Sequence, residues 1–485
     1  MSRRNSSSID SGNKSVSLQE THHNDDAVPN QNNANDFNEH LTSPGDGEVV
    51  NYKKANNANL DVVDIPTSGV SCRHRFFGAI KGGSLRGSIF AFASIAFGSG
   101  LLSFPIAMAK TGPIVGLILF IVVTILSYWT LHILIMAGRQ HKKLEYNELV
   151  IATMGNGMRI FADVANLALC LGVIMSYQYI ISIFFMELFK EIFNYVPESN
   201  INLPKFIQMA SCMIIVQIPL SLLKNMSKLQ YASIIGTVTL IYTIIVVFCE
   251  MPFYFKNYFE EPDHFLKDIW FTNIDINVLD SVSIFYYGYC AHNGIFQVYQ
   301  ELNKPSRRRM VKVLNGAFIM QLLMYVFMAY GGFFSQFYNC LDVFIRRPDL
   351  PGFTPDYLIL IAKISIIVCL HCTMAINYNI MRDSINCMFN NNSPMQTKYD
   401  VIVTICIYIF SNTLTFFVTN VTQILNFVGG VSTVVISTFI PIMIHVKSSG
   451  LPMTHWSNVI KLIICFIFSG LGIAATIKGI FDFFK

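Results

Sequence analysis

The sequence predicts an all-α polytopic membrane protein that crosses the bilayer about eleven times and carries two broken helices in matching positions. Of its 485 residues, 53% are hydrophobic and 13% are charged, and the mean hydropathy is +0.46. Soluble globular domains carry about 25% charged residues, so the apolar excess must face lipid. Apolar stretches of about 20 residues, the length that crosses a bilayer as a helix, recur along the chain. Two of these stretches are interrupted by glycine and polar residues.

The first 70 residues differ from the rest of the chain. Twelve of the first 60 residues are Asn, and the only aromatic residues before position 71 are Phe37 and Tyr52. Such a segment buries too little apolar area to offset its ordering entropy. We therefore expect a disordered cytoplasmic tail over 1–70, without a cleavable signal peptide. A basic juxtamembrane segment over 71–85 leads into a transmembrane domain over 86–485.

The apolar stretches are numbered here as spans 1 to 11, and short polar connections separate them. Their predicted boundaries are 86–109, 113–137, 159–189, 205–223, 230–252, 277–301, 312–335, 357–381, 398–417, 421–446 and 456–477.

The distribution of Lys and Arg predicts the orientation of the chain. The tail side holds 24 of these residues and the opposite side holds 9, while Lys363 lies within span 8. Because cytoplasmic loops are enriched in positive charge, we expect the N-terminus in the cytoplasm and the C-terminus outside or in a lumen. The plasma membrane and a vacuolar or lysosomal membrane remain alternatives. The net charge of +4 disfavours nucleic acid as a partner.

Span 1 is interrupted by the sequence Gly98-Ser99-Gly100. Two glycines weaken a helix at mid-membrane, and Pro105 suits the first turn of a restarted helix. Close packing of another helix on the glycines is an alternative reading. A restarted helix would present unpaired backbone N–H groups from Ser99 to Leu102, and these could bind a carboxylate.

Span 6 contains a matching interruption in residues 286–294 (YYGYCAHNG). Span 6 begins 191 residues after span 1, and moving Gly98 by that interval reaches Tyr289 inside this run. Interrupted spans at corresponding positions are typical of the binding site of an inverted-repeat transporter. An odd number of spans separates the two starts, so the second half has inverted topology. Carbonyl groups freed at the breaks could bind an ammonium group, so the pair of breaks fits a zwitterion.

Several segments resemble the amino acid/auxin permease family, and in part its sodium-coupled neutral amino acid transporter branch. The resemblance covers about 400 residues. It implies a LeuT-type fold in which spans 1–5 and 6–10 are inverted repeats and span 11 is an addition. It also implies alternating access, with an amino acid held between spans 1 and 6. The matching segments are 99–105 (SGLLSFP), 107–112 (AMAKTG), 290–292 (CAH), 298–302 (VYQEL), 306–310 (SRRRM) and 381–385 (MRDSI).

Carried over by position, the resemblance implies a set of site residues. The substrate carboxylate would be held by Gly98, Ser99, Gly100 and Leu101, and the amine or side chain would meet Tyr289, Cys290 and Asn293. Sodium-coupled members place an Asn and a Thr as sodium ligands, and the corresponding residues here are Ser94 and Thr373. Another Thr of the family motif corresponds to His371. Because a serine hydroxyl replaces the Asn carbonyl, sodium and proton are both open as the coupling ion.

Titratable residues within the spans are further candidates. His292 and His371 lie near the midplane, where an ionisable side chain is by default a functional hypothesis; a neutral, hydrogen-bonded packing role is the alternative. For Lys363 we expect that the ammonium group snorkels to the outer interface, with a gating role as the alternative. Further residues could line the cavity, with interhelical packing as the alternative, namely Tyr177, Gln178, Tyr179, Asn426 and Gly429.

The sequence therefore predicts a symporter that carries amino acids, with a neutral amino acid as substrate and a proton or sodium gradient as driving force. The alternative is an amino acid sensor that signals through the cytoplasmic tail. No catalytic triad, HExxH motif or aspartate pair lies at a suitable depth, so an enzyme is not expected. We expect no cofactor and no bound metal apart from a coupling ion, with Na⁺ possible at Ser94 and Thr373.

Overall fold

The computed structural model describes residues 83–193, 213–222, 226–260, 275–347, 349–350, 356–390 and 397–483. Within these ranges the protein consists of helices and connecting turns, without strands. The helices are α1 (Leu85–Ala96), α2 (Ser99–Thr111), α3 (Pro113–Gln140), α4 (Tyr146–Met154), α5 (Asn156–Phe193), α6 (Ile218–Ser221), α7 (Met226–Glu260), α8 (Val278–Gly288), α9 (Ile295–Glu301), α10 (Arg307–Gln336), α11 (Tyr357–Asn390), α12 (Thr397–Phe417), α13 (Val421–Phe427), α14 (Ile440–Ser448) and α15 (Trp456–Phe483).

The helices correspond to most of the predicted spans. Among the described residues, eight helices are long and apolar enough to cross a membrane, and α1 with α2, bent by 56°, makes a ninth. The prediction of an all-α chain with many membrane-length helices is confirmed, whereas the count of eleven stays a prediction. About half of span 4 (205–212 and 223), the tail 1–70 and most of the segment 71–85 (71–82) lie outside the described residues.

Span 1 is broken at the predicted place. Helix α1 ends at Ala96, and α2 begins at Ser99 after Phe97 and Gly98, whose backbones are not helical. The prediction that Pro105 lies in the first turn of the restarted helix is wrong, because this residue is the seventh of α2 and lies in its interior. Its ring instead packs on span 7, where a Cβ added to Gly332 would lie 2.3 Å from the Pro105 Cγ.

Span 6 is broken more widely than span 1. Helix α8 ends at Gly288, and a single 3₁₀ turn over His292–Gly294 precedes α9. Between them, Tyr289, Cys290 and Ala291 leave the helical path. The two breaks are therefore the points at which the central spans can bend.

The contacts between helices have the symmetry of two inverted repeats of five spans. Span 1 contacts span 5 as span 6 contacts span 10, and span 1 contacts span 7 as span 6 contacts span 2. Span 3 contacts span 10 as span 8 contacts span 5. In each comparison, the second contact is obtained from the first by adding five to one span number and adding or subtracting five for the other. Span 11 has no counterpart and packs on spans 6 and 10.

An aromatic cluster holds spans 1, 2, 6 and 7 together. Phe104 packs edge-on against Phe120, Phe285 and Tyr325, with ring centroids 4.7 to 5.9 Å apart. Edge-to-face contacts of this kind stabilise beyond the area that they bury. The outward surface is apolar too: Phe466 is 82% exposed in the isolated chain, as expected of a side chain that faces lipid.

Candidate substrate and ion site

A small cavity lies where the breaks of spans 1 and 6 meet spans 3 and 8. Its volume is about 20 Å³, which is the space of about one water molecule. This volume is too small to hold an amino acid. The lining residues are Ile95, Ala96, Gly98, Leu169, Val173, Tyr177, Tyr287, Cys290, Asn293 and Asn377.

The N-terminus of α2 faces this region. The first N–H groups of a helix have no acceptor within it, and the helix dipole adds partial positive charge. The Leu101 N–H donates to the Gly98 carbonyl at 3.2 Å. The N–H groups of Ser99 and Gly100 are therefore the donors that the helix itself leaves for an anion.

Three buried hydroxyl groups connect spans 1, 3 and 6 at the break. The Ser99 Oγ lies 2.7 Å from the Ser176 Oγ and 2.9 Å from the Tyr287 hydroxyl. The third side of this triangle, from Ser176 to Tyr287, is 3.1 Å. Hydroxyl groups donate and accept, so this triangle can reorient around a bound polar group.

Two further tyrosines pack on the breaks. A Cβ added to Gly98 would lie 2.0 Å from the Tyr177 hydroxyl, so the glycine leaves room for this side chain of span 3. The Tyr325 hydroxyl of span 7 lies 2.9 Å from the Ala96 carbonyl and 2.7 Å from the Gly288 carbonyl. This one hydroxyl group therefore links the C-terminal ends of α1 and α8, the first halves of the two broken spans.

Two asparagine side chains supply acceptors to the cavity wall. The Asn377 Nδ2 donates to the Thr373 carbonyl at 3.0 Å, and the Asn293 Nδ2 donates to the Asn166 Oδ1 at 3.2 Å. Both amide nitrogens are thus engaged, and the Oδ1 atoms of Asn293 and Asn377 remain available to a donor such as an ammonium group. Asn377 was not among the sequence candidates, although it lies one helical turn after Thr373.

The structure brings Gly98, Cys290 and Asn293 of the predicted substrate site to one cavity. Tyr289 lies elsewhere: its ring stacks on Phe318 at 5.7 Å, within the aromatic cluster. Tyr287, two residues earlier, lines the cavity instead. Gly100 faces α8, since a Cβ added to it would lie 3.0 Å from the Gly288 Cα. The glycines of span 1 therefore serve both the break and close helix packing.

The proposed sodium ligands sit on the helices beside the cavity. The Ser94 hydroxyl donates to the Ala91 carbonyl at 2.8 Å, and the Thr373 hydroxyl donates to the Cys369 carbonyl at 3.1 Å. Each proton is used within its own helix, and Thr373 also forms a side-chain hydrogen bond with Tyr177. The Ser94 oxygen and one lone pair of the Thr373 oxygen are left for a cation.

Both candidate histidines are buried, and neither lines the cavity. The His292 Nε2 lies 2.9 Å from the Thr130 hydroxyl of span 2, and its Nδ1 has no hydrogen-bond partner. The His371 Nδ1 donates to the Ile367 carbonyl at 2.8 Å.

The expectation that Lys363 snorkels is wrong. Its side chain is 4% exposed and contacts two carboxylates of span 3, Glu187 at 3.2 Å and Glu191 at 2.9 Å. Ion pairing between spans 3 and 8 accounts for its position, because a buried ammonium group needs a paired charge.

Among the further cavity candidates, only Tyr177 lines the cavity. The others make contacts between helices. Gln178 donates to Ser411, Tyr179 donates to the Thr419 carbonyl, Asn426 donates to Asp280, and Gly429 packs against the Ser283 carbonyl.

Two broken helices that meet at a buried polar cavity, within two sets of five spans in inverted contact, define an inverted-repeat membrane transporter. The chain belongs to the family described as "Transmembrane amino acid transporter protein", the amino acid/auxin permease family, whose profile matches residues 81–481. It is thus a multi-pass integral membrane protein of a transporter family and not an enzyme.

Its relatives include sodium-coupled transporters. The sodium-coupled neutral amino acid symporter 2 of Danio rerio is 23% identical over 378 residues, which cover 74% of each chain. The sodium-coupled neutral amino acid transporter 4 of Pongo abelii is 23% identical over 428 residues, covering 74% of this chain and 77% of the relative.

Two solved structures share the fold. MhsT in complex with L-phenylalanine aligns with a TM-score of 0.53 and 15% identity, covering 81% of this chain and 98% of MhsT. Mhp1, a nucleobase-cation-symport-1 family transporter in a closed conformation with bromovinylhydantoin bound, aligns with a TM-score of 0.51 and 12% identity, covering 82% and 91%. The predicted LeuT-type fold is therefore confirmed.

Proposed function

We propose that the protein is a secondary active symporter that carries a neutral amino acid by alternating access. The observation that supports this most directly is the closed polar cavity at the two helix breaks. A cavity of about 20 Å³ has to open to one side to admit an amino acid. Breaks in spans 1 and 6 let the half-helices tilt separately, so the site can open to either side in turn.

The substrate is recognised by groups on both broken helices and on spans 3 and 8. Its carboxylate binds at the N–H groups of Ser99 and Gly100, because a helix N-terminus attracts an anion. Its ammonium group is accepted by the Oδ1 atoms of Asn293 and Asn377, whose nitrogens already donate elsewhere. Cys290 borders the remaining space, which has no charged side chain in its lining, and this favours a neutral substrate.

The coupling ion is Na⁺ or H⁺, and each has a separate location. Na⁺ would use the hydroxyl oxygens of Ser94 and Thr373, and the named sodium-coupled relatives favour this ion. H⁺ would use the unpartnered Nδ1 of His292, which lies four residues after Gly288 at the second break. The N-terminus faces the cytoplasm, as the excess of Lys and Arg on that side indicates.

The test is uptake by the full chain in proteoliposomes, with neutral amino acids offered one at a time. A Na⁺ gradient and a pH gradient are imposed separately. We expect concentrative uptake under one of them. Thr373→Ala should raise the Na⁺ concentration for half-maximal uptake if Na⁺ drives transport, whereas His292→Gln should abolish the response to a pH gradient if H⁺ does. The proposal is overturned if no amino acid is taken up or exchanged under either gradient.

A further inference from the structure

Asp280, a buried residue in the first turn of α8, gathers side chains from three other helices. Its carboxylate oxygens accept from the Lys110 Nζ at 2.5 Å and from the Lys478 Nζ at 2.7 Å. The Asn426 Nδ2 donates to the same carboxylate at 2.7 Å. Asp482 holds the Lys478 ammonium group from one turn further along α15, at 3.0 Å. The two lysines are therefore matched by two carboxylates.

The partners of Asp280 come from structurally different parts of the molecule. Lys110 lies in the last turn of α2, which is the outer half of span 1 under the orientation proposed above. Asn426 lies in α13, at the start of span 10, and Lys478 lies in α15, which is span 11. One carboxylate thus joins the outer halves of both broken spans to spans 10 and 11.

Helices α2 and α8 are packed closely along their length. Gly100 faces Gly288, since an added Cβ would lie 3.0 Å from the Gly288 Cα, and the Phe104 and Phe285 rings lie 5.5 Å apart. The Ser281 hydroxyl donates to the Ala107 carbonyl at 2.8 Å. These contacts, with the Lys110 pair, hold the two outer half-helices against each other.

Spans 10 and 11 form a second tight pair. A Cβ added to Gly472 would lie 2.4 Å from the Gly430 carbonyl oxygen, and one added to Gly479 would lie 2.8 Å from the Asn426 Cβ. The pair of α2 and α8 meets the pair of spans 10 and 11 through the polar contacts of Lys478 and Asn426 with Asp280, which lie at the outer end of these helices. The contact between Gly429 and the Ser283 carbonyl lies deeper along the helices.

We propose that Asp280 is a positioning residue whose bonds to Lys478 and Asn426 clamp the outer half of the site shut. Opening to the outside breaks these two bonds and keeps the Lys110 pair, so that α2 and α8 move together away from spans 10 and 11. Span 11, which lies outside the inverted repeats, thereby sets how readily the transporter opens outward. This inference rests on the proposed alternating access.

The test compares lysine variants by chemical labelling from the outer side. Ser103→Cys is introduced into the full chain as a reporter, because Ser103 is buried in α2 and donates to the Asp342 carbonyl. Its labelling by a membrane-impermeant thiol reagent is measured in proteoliposomes, relative to protein without the reporter. Lys478→Met is compared with Lys461→Met, the same substitution on the same helix, and with Lys478→Arg.

We expect Lys478→Met to raise the labelling rate about tenfold, since a charge-assisted bond across the opening boundary is lost. Lys461→Met should leave the rate unchanged, and Lys478→Arg should restore it. Asn426→Leu, which removes the other bond, should shift labelling in the same direction by a smaller factor. Lys110→Met should lower uptake without raising labelling.

The clamp is overturned if Lys478→Met and Asn426→Leu both label at the rate of the parent, or if Lys110→Met alone raises labelling. Should Lys478→Met prove unstable, Asn426→Leu carries the same comparison. Labelling requires no substrate, so this result is separate from the uptake assay. Failure of uptake in the parent protein would contradict the proposed function, whereas equal labelling with normal uptake would contradict only the clamp.

Discussion

At Gly98 the break of span 1 meets both span 3 and the cavity. Its φ of −169° is extended backbone that any residue can adopt, so the requirement for glycine here comes from space. The Tyr177 hydroxyl occupies the position that a side chain at 98 would need, since an added Cβ would lie 2.0 Å away. Even a methyl group must therefore displace the cavity wall.

Gly98→Ala should reduce the initial rate of amino acid uptake about a hundredfold, because a displacement of about 1 Å at a binding site has an effect of that size. Tyr177→Phe in the same chain should recover part of the rate. Recovery stays partial because the ring carbon Cζ would still lie 2.7 Å from the added methyl group.

The matched control for this substitution is Gly470→Ala. Gly470 lies within α15, and no atom lies within 4 Å of a Cβ added there. Its uptake should equal that of the parent. Normal uptake by Gly98→Ala would show that the substrate does not bind at this break.

The sequence predicted the cavity residues near each break but not the direction of every side chain. Gly98, Cys290 and Asn293, which the family resemblance implied, lie in the two interruptions and line the cavity. Tyr289 was expected at the site and Tyr287 occupies it, because helical periodicity ends at Gly288 and no longer tells which side chain faces inward. Contacts from unbroken helices, such as Asn377, have no interruption to mark them.

At the scale of helices, the ion-pair partners of Lys363 could not be predicted from its own helix. Its place on span 8 suggests a side chain long enough to reach the interface. The carboxylates that hold it lie on span 3, more than 170 residues earlier in the chain. Pairing between distant elements depends on the fold, so the sequence could not show it.

Lys363→Met should lower the free energy of unfolding by about 2 kcal/mol, because Glu191 loses a charged hydrogen-bond partner. Lys363→Arg should retain most of the stability. The stability of each variant relative to the parent is measured from the thermal midpoint of the detergent-solubilised protein. Lys256→Met is the control, since Lys256 and its partner Glu260 are 79% and 61% exposed and such pairs contribute little. Unchanged stability with abolished uptake would instead support the gating role for Lys363.

Span length was predictable, whereas short helices were not. Apolar runs located the spans to within several residues, but α4, of nine residues, has no apolar run of membrane length. It ends at Met154 and is followed by Gly155, whose φ of +87° is a conformation that residues with side chains rarely adopt. The glycine is visible in the sequence, although its backbone conformation is not.

For the whole molecule, the inverted symmetry was predictable from the spacing of two breaks, and the contacts among spans 1, 2, 3, 5, 6, 7, 8 and 10 follow it. The closed state of the cavity was not predictable. Closure depends on how spans 1, 3, 6 and 8 are placed together. The conformational states of a transporter differ little in free energy. Local sequence patterns specify the hinges and leave open which way they are bent.

The whole chain also allows a test of where the transport unit begins. The family match starts at residue 81, and the first 70 residues have the composition of a solvated tail. Deleting residues 2–70 should change the uptake rate per molecule by less than about twofold.

Gly83→Ala in the full chain should reduce uptake and the thermal midpoint, because Gly83 has a φ of +70° and an added Cβ would lie 2.6 Å from the Glu301 carbonyl oxygen. Two residues after Glu301, the Asn303 N–H donates to the Gly83 carbonyl at 2.9 Å, and this bond connects the start of span 1 to the end of span 6. One methyl group at this junction should thus have a larger effect than the loss of the tail. Loss of uptake on deletion would place the tail within the transport machinery, and unchanged uptake with lost amino acid signalling in cells would favour the sensor.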